Sequence, residues 1–161
     1  MRLDKFLADC GFGSRKDTKA IIKKGKVLLN GIIVKDPSLH LDPKKDNVIL
    51  DGKEVVYKKY IYLMLNKPSG VISATKDNFH KTVIDLIPKE FSHYNLFPCG
   101  RLDIDTEGLL IITNDGILAH RVLSPSKNVD KKYFVKVLGK LSDDDINSFN
   151  KGIYIDNEYI T

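Results

Sequence analysis

The apolar positions of the first thirty residues recur at helical spacing and then switch to the two-residue rhythm of strands. In "RLDKFLADCG", Leu3, Phe6, Leu7 and Cys10 fall on one helical face, and Gly11 ends the run. In "GSRKDTKAIIKKGKV", Ser14 stands at an N-cap position, Asp17 follows three residues later, and Gly25 sits where a helix-ending glycine is expected. Thr18, Ile21 and Ile22 share one sector of this second helix, while Arg15, Lys16, Lys19 and Lys23 share another. "KVLLNGIIVKDP" then places two β-type runs around Asn30-Gly31, and "NVILDGKEV" repeats the device around Asp51-Gly52. Both pairs predict tight hairpins, because both turn positions need positive φ.

A second pattern begins near Lys58-Lys59. "YIYLMLN" predicts a buried strand from its aromatic and aliphatic content, and "NKPSG" a turn that ends it. "TVIDLIP" has helical spacing at Val83, Leu86 and Ile87 and is stopped by Pro88. "GLLIIT" predicts a strand, Asp115 a helix cap, and "GILAHRVL" a short helix. "LSDDDINSFNKGIYIDNEYIT" predicts a capped helix, a strand, an Asp156-Asn157 turn and the start of another strand. The class is α+β, in two modules spanning 1–58 and 59–161.

Composition narrows the function. The 161 residues are 42% hydrophobic and 29% charged, as in globular proteins. No apolar run reaches about 18 residues, so no membrane span is expected. "MRLDKFLADC" is too polar and acidic for a signal peptide. Cys10 and Cys99 lack CxxC spacing and read as reduced thiols of a cytoplasmic chain. His80 and His93 each stand alone, so no metal site is predicted. Residues 1–58 carry 13 Lys/Arg against 8 Asp/Glu, whereas 59–161 carry 13 against 13. The net charge of +5 therefore belongs to the first module. A polyanion partner and a merely lysine-rich surface both fit that asymmetry.

The densest candidate chemistry is "GRLDIDTEGLLIITNDG". An extended "GRLD" puts Arg101 and Asp103 on one face and Leu102 on the other. An arginine beside a carboxylate favours the charged form, so the pair predicts an ionised Asp103, usable as nucleophile or base. The same stretch is open to other readings. "DIDTE" spaces acids like a divalent-cation loop, but without the glycine and distal glutamate of a Ca²⁺ loop. Asp105 and Thr106 also suit a turn in which their side chains bond backbone amides. Glu107 has no assigned role.

Two resemblances cover essentially the whole chain. "RLDKFLADCGFGSRKDTKAIIKKGKVLLNG", from Arg2 to Gly31, resembles the S4 RNA-binding domain. That resemblance implies RNA contacts from Arg2, Arg15, Lys16, Lys19 and Lys23, with Asn30 shaping the turn. "YLMLNKPSGVISAT", "GRLDIDTEGLLIITNDG" and "VDKKYFVKV" resemble the pseudouridine synthases whose founding member acts on small-subunit rRNA. This implies a mixed, mainly antiparallel catalytic sheet, of which 59–161 would be the first part, the C-terminal portion being absent. It implies no cofactor and no metal. It assigns Asp103 as the essential carboxylate and Arg101 as its partner in holding a flipped-out uridine. Tyr133 would pack on the base; by pattern alone it is an ordinary strand aromatic. Asn66, Lys67 and Gly70 would shape the site wall. "GRLDIDT" and "FNKGIYIDNE" look closest to the small-subunit enzymes, which implies a uridine of 16S rRNA as substrate. The expected partner is structured rRNA or a pre-ribosomal small-subunit particle, met by a monomer during ribosome biogenesis. A 23S-specific synthase and a truncated, non-catalytic S4-type RNA-binding protein are the alternatives.

Overall fold

The first helix forms where its apolar stripe predicts, as α1 (Leu3–Asp9), with Leu3, Phe6 and Leu7 buried. The structure is a computed structural model that describes residues 1–155 and 158–160. α2 (Arg15–Lys23) opens on a reciprocal capping box. The Ser14 hydroxyl accepts from the Asp17 amide at 3.3 Å, and the Asp17 carboxylate accepts from the Ser14 amide at 2.9 Å. Of its inner sector Thr18 and Ile22 are buried and Ile21 is half-buried. The two hairpins follow as β1 (Val27–Leu29) with β2 (Ile32–Val34), and β3 (Val48–Leu50) with β4 (Lys53–Glu54). Asn30 and Gly31 have φ of 51° and 82°, and Asp51 and Gly52 of 47° and 79°, the left-handed pairs that such turns need. β1 is central in an antiparallel sheet of order β2-β1-β3-β4. Helices and sheet enclose a core of Leu3, Phe6, Leu7, Ile22, Val27 and Val48.

Asp4 ties this module together. It is fully buried, yet it faces two guanidinium groups. Arg2 donates to both of its oxygens, at 3.1 and 2.9 Å, and Arg15 donates to Oδ1 at 3.2 Å. The Thr18 hydroxyl donates to the Asp4 carbonyl at 2.9 Å. One acidic residue thus fixes the start of the chain and the first turn of α2 against α1.

A second sheet is built from β5 (Tyr62–Lys67), β6 (Phe97–Cys99) and β7 (Gly108–Thr113). Its order is β5-β7-β6, with both pairings antiparallel. β5 is not the buried strand its composition predicts. Leu63 and Leu65 turn to the core, while Tyr62 and Met64 are exposed, Met64 by 85%. The apolar residues on both faces hid the alternation of an antiparallel sheet covered on one side. The core beneath comprises Ile61, Val71, Val83, Leu96, Leu110 and Ile112. The helix expected around Val83–Ile87 is only a single 3₁₀ turn, Ile84–Leu86. Val83 donates its amide to the Ile72 carbonyl, and Asp85 accepts from the Thr82 amide and hydroxyl, so the turn is closed before a helix can lengthen. α3 (Gly116–Leu123) is capped by Asp115, whose Oδ1 accepts from Ile117 and Leu118 at 3.1 Å each. The Tyr62 hydroxyl donates to the other oxygen at 2.7 Å. That bond, with the helix amides, holds the Asp115 carboxyl below the ordinary carboxylate range.

Residues Met1–Val129 form one compact unit and Asp130–Thr161 a second. In the second, α4 (Asp143–Lys151) carries its own capping box between Ser142 and Asp145. β8 (Ile153–Ile155) pairs antiparallel with β9 (Glu158–Ile160). The predicted Asp156-Asn157 turn lies outside the described residues. The segment before α4 forms no helix or strand, and Phe134 and Val135 within it are exposed. Among the described residues, no helix is long and apolar enough to cross a membrane.

The Asp4 cluster makes a pH-dependent prediction. The Arg2 guanidinium, then Arg15, holds the Asp4 carboxyl well below the usual carboxylate range, against the opposing effect of burial. A depressed folded value contributes stability above the unfolded-state value near 4 and loses it as pH falls below that. Asp4→Asn should cost about 1–3 kcal/mol at pH 7, at the low end because both arginines can rehydrate. In urea titrations the gap from the parent chain should hold between pH 7 and about 5 and then narrow below about pH 4.

Candidate active site

The loop between β6 and β7 carries Arg101 and Asp103, and its backbone is pinned from two sides. Ser73 Oγ donates to the Leu102 carbonyl at 2.8 Å, and the Leu102 amide donates back to Ser73 Oγ at 3.0 Å. Leu102 packs against the second core, while Arg101 and Asp103 are exposed. This is the alternation expected of an extended "GRLD". From the other side, Lys67 ends β5 fully buried. Its Nζ donates to the carbonyls of Thr106 at 2.8 Å and of Ile104 and Pro68 at 3.2 Å each. The Gly70 amide, at φ 81°, donates to the Ile104 carbonyl at 2.8 Å.

The expected pairing of Arg101 with Asp103, the side-chain turn at Asp105 and Thr106, Lys67 as a wall residue and Tyr133 as a strand aromatic are corrected by this geometry. Arg101 and Asp103 form no ion pair: their shared direction leaves both side chains in solvent instead of against each other. Among the described residues, the side chains of Asp105 and Thr106 make no hydrogen bond to the backbone. The turn closes through the Thr106 amide on the Asp103 carbonyl, at 3.2 Å, and through Lys67. Lys67 is a strut beneath the loop, because all three of its donors are spent on backbone oxygens. Asn66 is exposed and pairs across the sheet with Leu109. Tyr133 belongs to the second unit, exposed and outside any strand. Among the described residues no group of three or more His, Cys, Asp or Glu could hold a metal ion.

The residues expected to touch RNA sort into two sets. Lys16, Lys19 and Lys23 are exposed on α2 and make no ion pair among the described residues. Arg2 and Arg15 keep part of their surface in solvent but are tied to Asp4. Asn30 latches the first hairpin to the next loop: its amide donates to Asp46 at 2.9 Å and its oxygen accepts from the Asn47 amide at 2.9 Å.

Arg101 also lines a groove of about 440 Å³, with Ser73, Thr75, Phe97, Pro98 and Leu123. The exposed Asp103, the groove beside Arg101 and the basic helix α2 all lie in the first unit. The sequence comparisons name the class. Residues 61–159 match the family described as RNA pseudouridylate synthase, and residues 1–48 match the S4 domain. The chain belongs to the RNA pseudouridylate synthase family and carries an S4 domain at its N-terminus. Lys58-Lys59 falls between the two matched spans.

The chain is 50% identical over 161 residues to the RNA pseudouridine synthase YtzG of Bacillus subtilis (strain 168), covering 100% of this chain and 67% of that one. It is 36% identical to the ribosomal small subunit pseudouridine synthase A of Vibrio cholerae, covering 98% of this chain and 68% of that one. It is 35% identical to the ribosomal large subunit pseudouridine synthase B of Bacillus subtilis, covering 96% and 63%. The chain thus spans about two-thirds or less of the length of many curated relatives it matches.

Lys67→Met would leave the Pro68, Ile104 and Thr106 carbonyls short of their shared donor. It should cost about 1–3 kcal/mol of stability. Local opening of the 102–106 loop should speed amide exchange at Gly70 by more than about tenfold. Thermal melts and exchange measured by NMR check both outcomes.

Proposed function

We propose that this chain supplies the RNA-docking module and the aspartate-bearing core of an rRNA pseudouridine synthase. Its substrate in this proposal is a uridine of 16S rRNA, met in structured rRNA or in a pre-ribosomal small-subunit particle, in the cytoplasm and as a monomer. The observation that carries the proposal is the braced loop: Ser73 and Lys67 fix the backbone on either side of Asp103 and leave its carboxylate unengaged. A carboxylate so presented has a fixed origin and no competing partner, which is what a reacting group needs.

The reaction is an isomerisation. The glycosidic bond of the uridine breaks, the base turns, and a carbon of the base rejoins the sugar, with no atom gained or lost. The chemistry needs one carboxylate and a base held out of its stack. Unstacking costs a few kcal/mol and is cheapest where the base is already unpaired. Asp103 acts on the sugar or the base, and Arg101 in its groove holds the displaced strand by its phosphate. On α2, Lys16, Lys19 and Lys23 meet phosphates, which gives affinity and orientation with little choice of sequence.

Large-subunit specificity is the second reading, favoured by the 35% identity to a large-subunit enzyme beside 36% to a small-subunit one. Mapping pseudouridines in rRNA from cells lacking the gene separates the two. A site missing from 16S rRNA supports the proposal; a site missing from 23S rRNA moves the substrate. An unchanged map sinks the catalytic reading and favours a non-catalytic RNA-binding role. In the complete enzyme, Asp103→Asn should abolish pseudouridine formation while RNA affinity stays within a few-fold. Converting Lys16, Lys19 and Lys23 to Gln should flatten the salt dependence of binding, by about 0.7 in slope per lost single-strand contact.

A further inference from the structure

Phe97 contributes to the lining of two grooves of the first unit. One is the Arg101 groove. The other, about 450 Å³, lies in the seam between the S4 core and the second sheet, lined by Tyr57, Lys58, Lys59, His93, Tyr94 and Asn95, with Phe97 as the shared wall. It is an open, largely polar depression and not an enclosed pocket.

The seam is closely packed at its base. The His93 ring packs on Gly11 so closely that a Cβ there would come within 2.8 Å of ring atoms, so only glycine allows the contact. Tyr57 stacks on Phe6 with ring centroids 5.7 Å apart, and His93 lies 4.0 Å from the Tyr94 ring by the same measure. Asn114 clamps the connecting segment: it accepts from the Ile61 amide at 2.9 Å and donates to the Lys59 carbonyl at 3.1 Å.

The lining has the chemistry of a nucleotide site. Lys58 and Lys59 are exposed and make no ion pair among the described residues; the Lys59 ammonium rests 4.8 Å from the centroid of the Tyr60 ring. Asn95 is exposed, and its amide has no hydrogen bond within the described chain. Among the described lining residues the carboxylate is Asp9, already paired with Lys5, while Asp115 lies near enough to act on the Lys59 charge. Cations beside aromatic rings bind single strands by pairing with phosphate and stacking on bases.

We propose that the seam groove is a nucleotide subsite. It takes one unpaired nucleotide of the RNA strand that runs from the docking helix to Asp103, its phosphate at Lys58 and Lys59 and its base against Tyr57 and Tyr94, with Asn95 at the base edge. The proposal rests on the RNA reading above. It gives the S4 module a second role beyond gripping a folded RNA, since it also fixes how far along the strand the reacting uridine lies.

The test uses the full chain and a 4-thiouridine-substituted RNA hairpin with a single-stranded tail. Photo-crosslinking should label the peptide containing Tyr57 or the one containing His93–Phe97. Lys58→Gln/Lys59→Gln should lower the slope of log affinity against log salt by about 1.4, two single-strand contacts. It should also weaken the tailed hairpin more than a tail-less one. Both lysines are exposed, so the variant should keep the parent's circular dichroism and melting temperature. If the chain binds the hairpin but the slope is unchanged, or all crosslinks fall on α2, the subsite is overturned while the RNA reading stands. If the parent chain binds neither hairpin, the RNA reading itself fails.

Discussion

Lys67 reaches its carbonyl partners from the end of β5, where water is excluded, and no carboxylate among the described residues shares the load. A buried cation left without partners would cost many kcal/mol. Three backbone dipoles answer it, and they belong to two segments far apart in sequence. The strand and the loop can therefore take only a narrow range of relative positions. The exposed carboxylate of Asp103 owes its fixed address to a group that never meets solvent. Ser73 acts the same way from the opposite side, with one hydroxyl that both donates to and accepts from Leu102.

The S4 module follows a similar plan with charges reversed. Asp4 is the buried ion, and Arg2 and Arg15 reach in from the surface. In chemistry these arginines resemble the lysines of α2, and all five read as RNA contacts along the chain. The fold divides them by duty. The arginines hold the module's own helices together and keep only part of their guanidinium surface for a partner. The lysines keep their full charge available. This division follows from geometry: planar, forked guanidinium suits a buried carboxylate, and a mobile ammonium suits a phosphate track.

Local signals carried most of the fold. The capping boxes at Ser14 and Ser142, the Asn30-Gly31 and Asp51-Gly52 turns, and the cap at Asp115 each depend on a few neighbouring residues. What sequence did not carry was long-range. Arg101 and Asp103 face solvent on either side of an anchored Leu102, and that anchor is Ser73, twenty-nine residues away. The family resemblance puts Lys67 in the site wall, and nothing near it in sequence announces its partners at Ile104 and Thr106. The exposure of β5 was hidden because apolar residues occupy both of its faces. The seam groove draws on four separate stretches, so no single motif contains it.

The open face of the second sheet has a chemical consequence. Met64 stands on it with 85% of its surface in water and no core to disturb. Oxidation to the sulfoxide would add polarity where packing is absent, at little cost to the fold. The thioether therefore works as a natural footprinting probe. Mild peroxide would modify it while the face is bare and spare it once anything lies across the sheet, whether RNA, another polypeptide or a further strand.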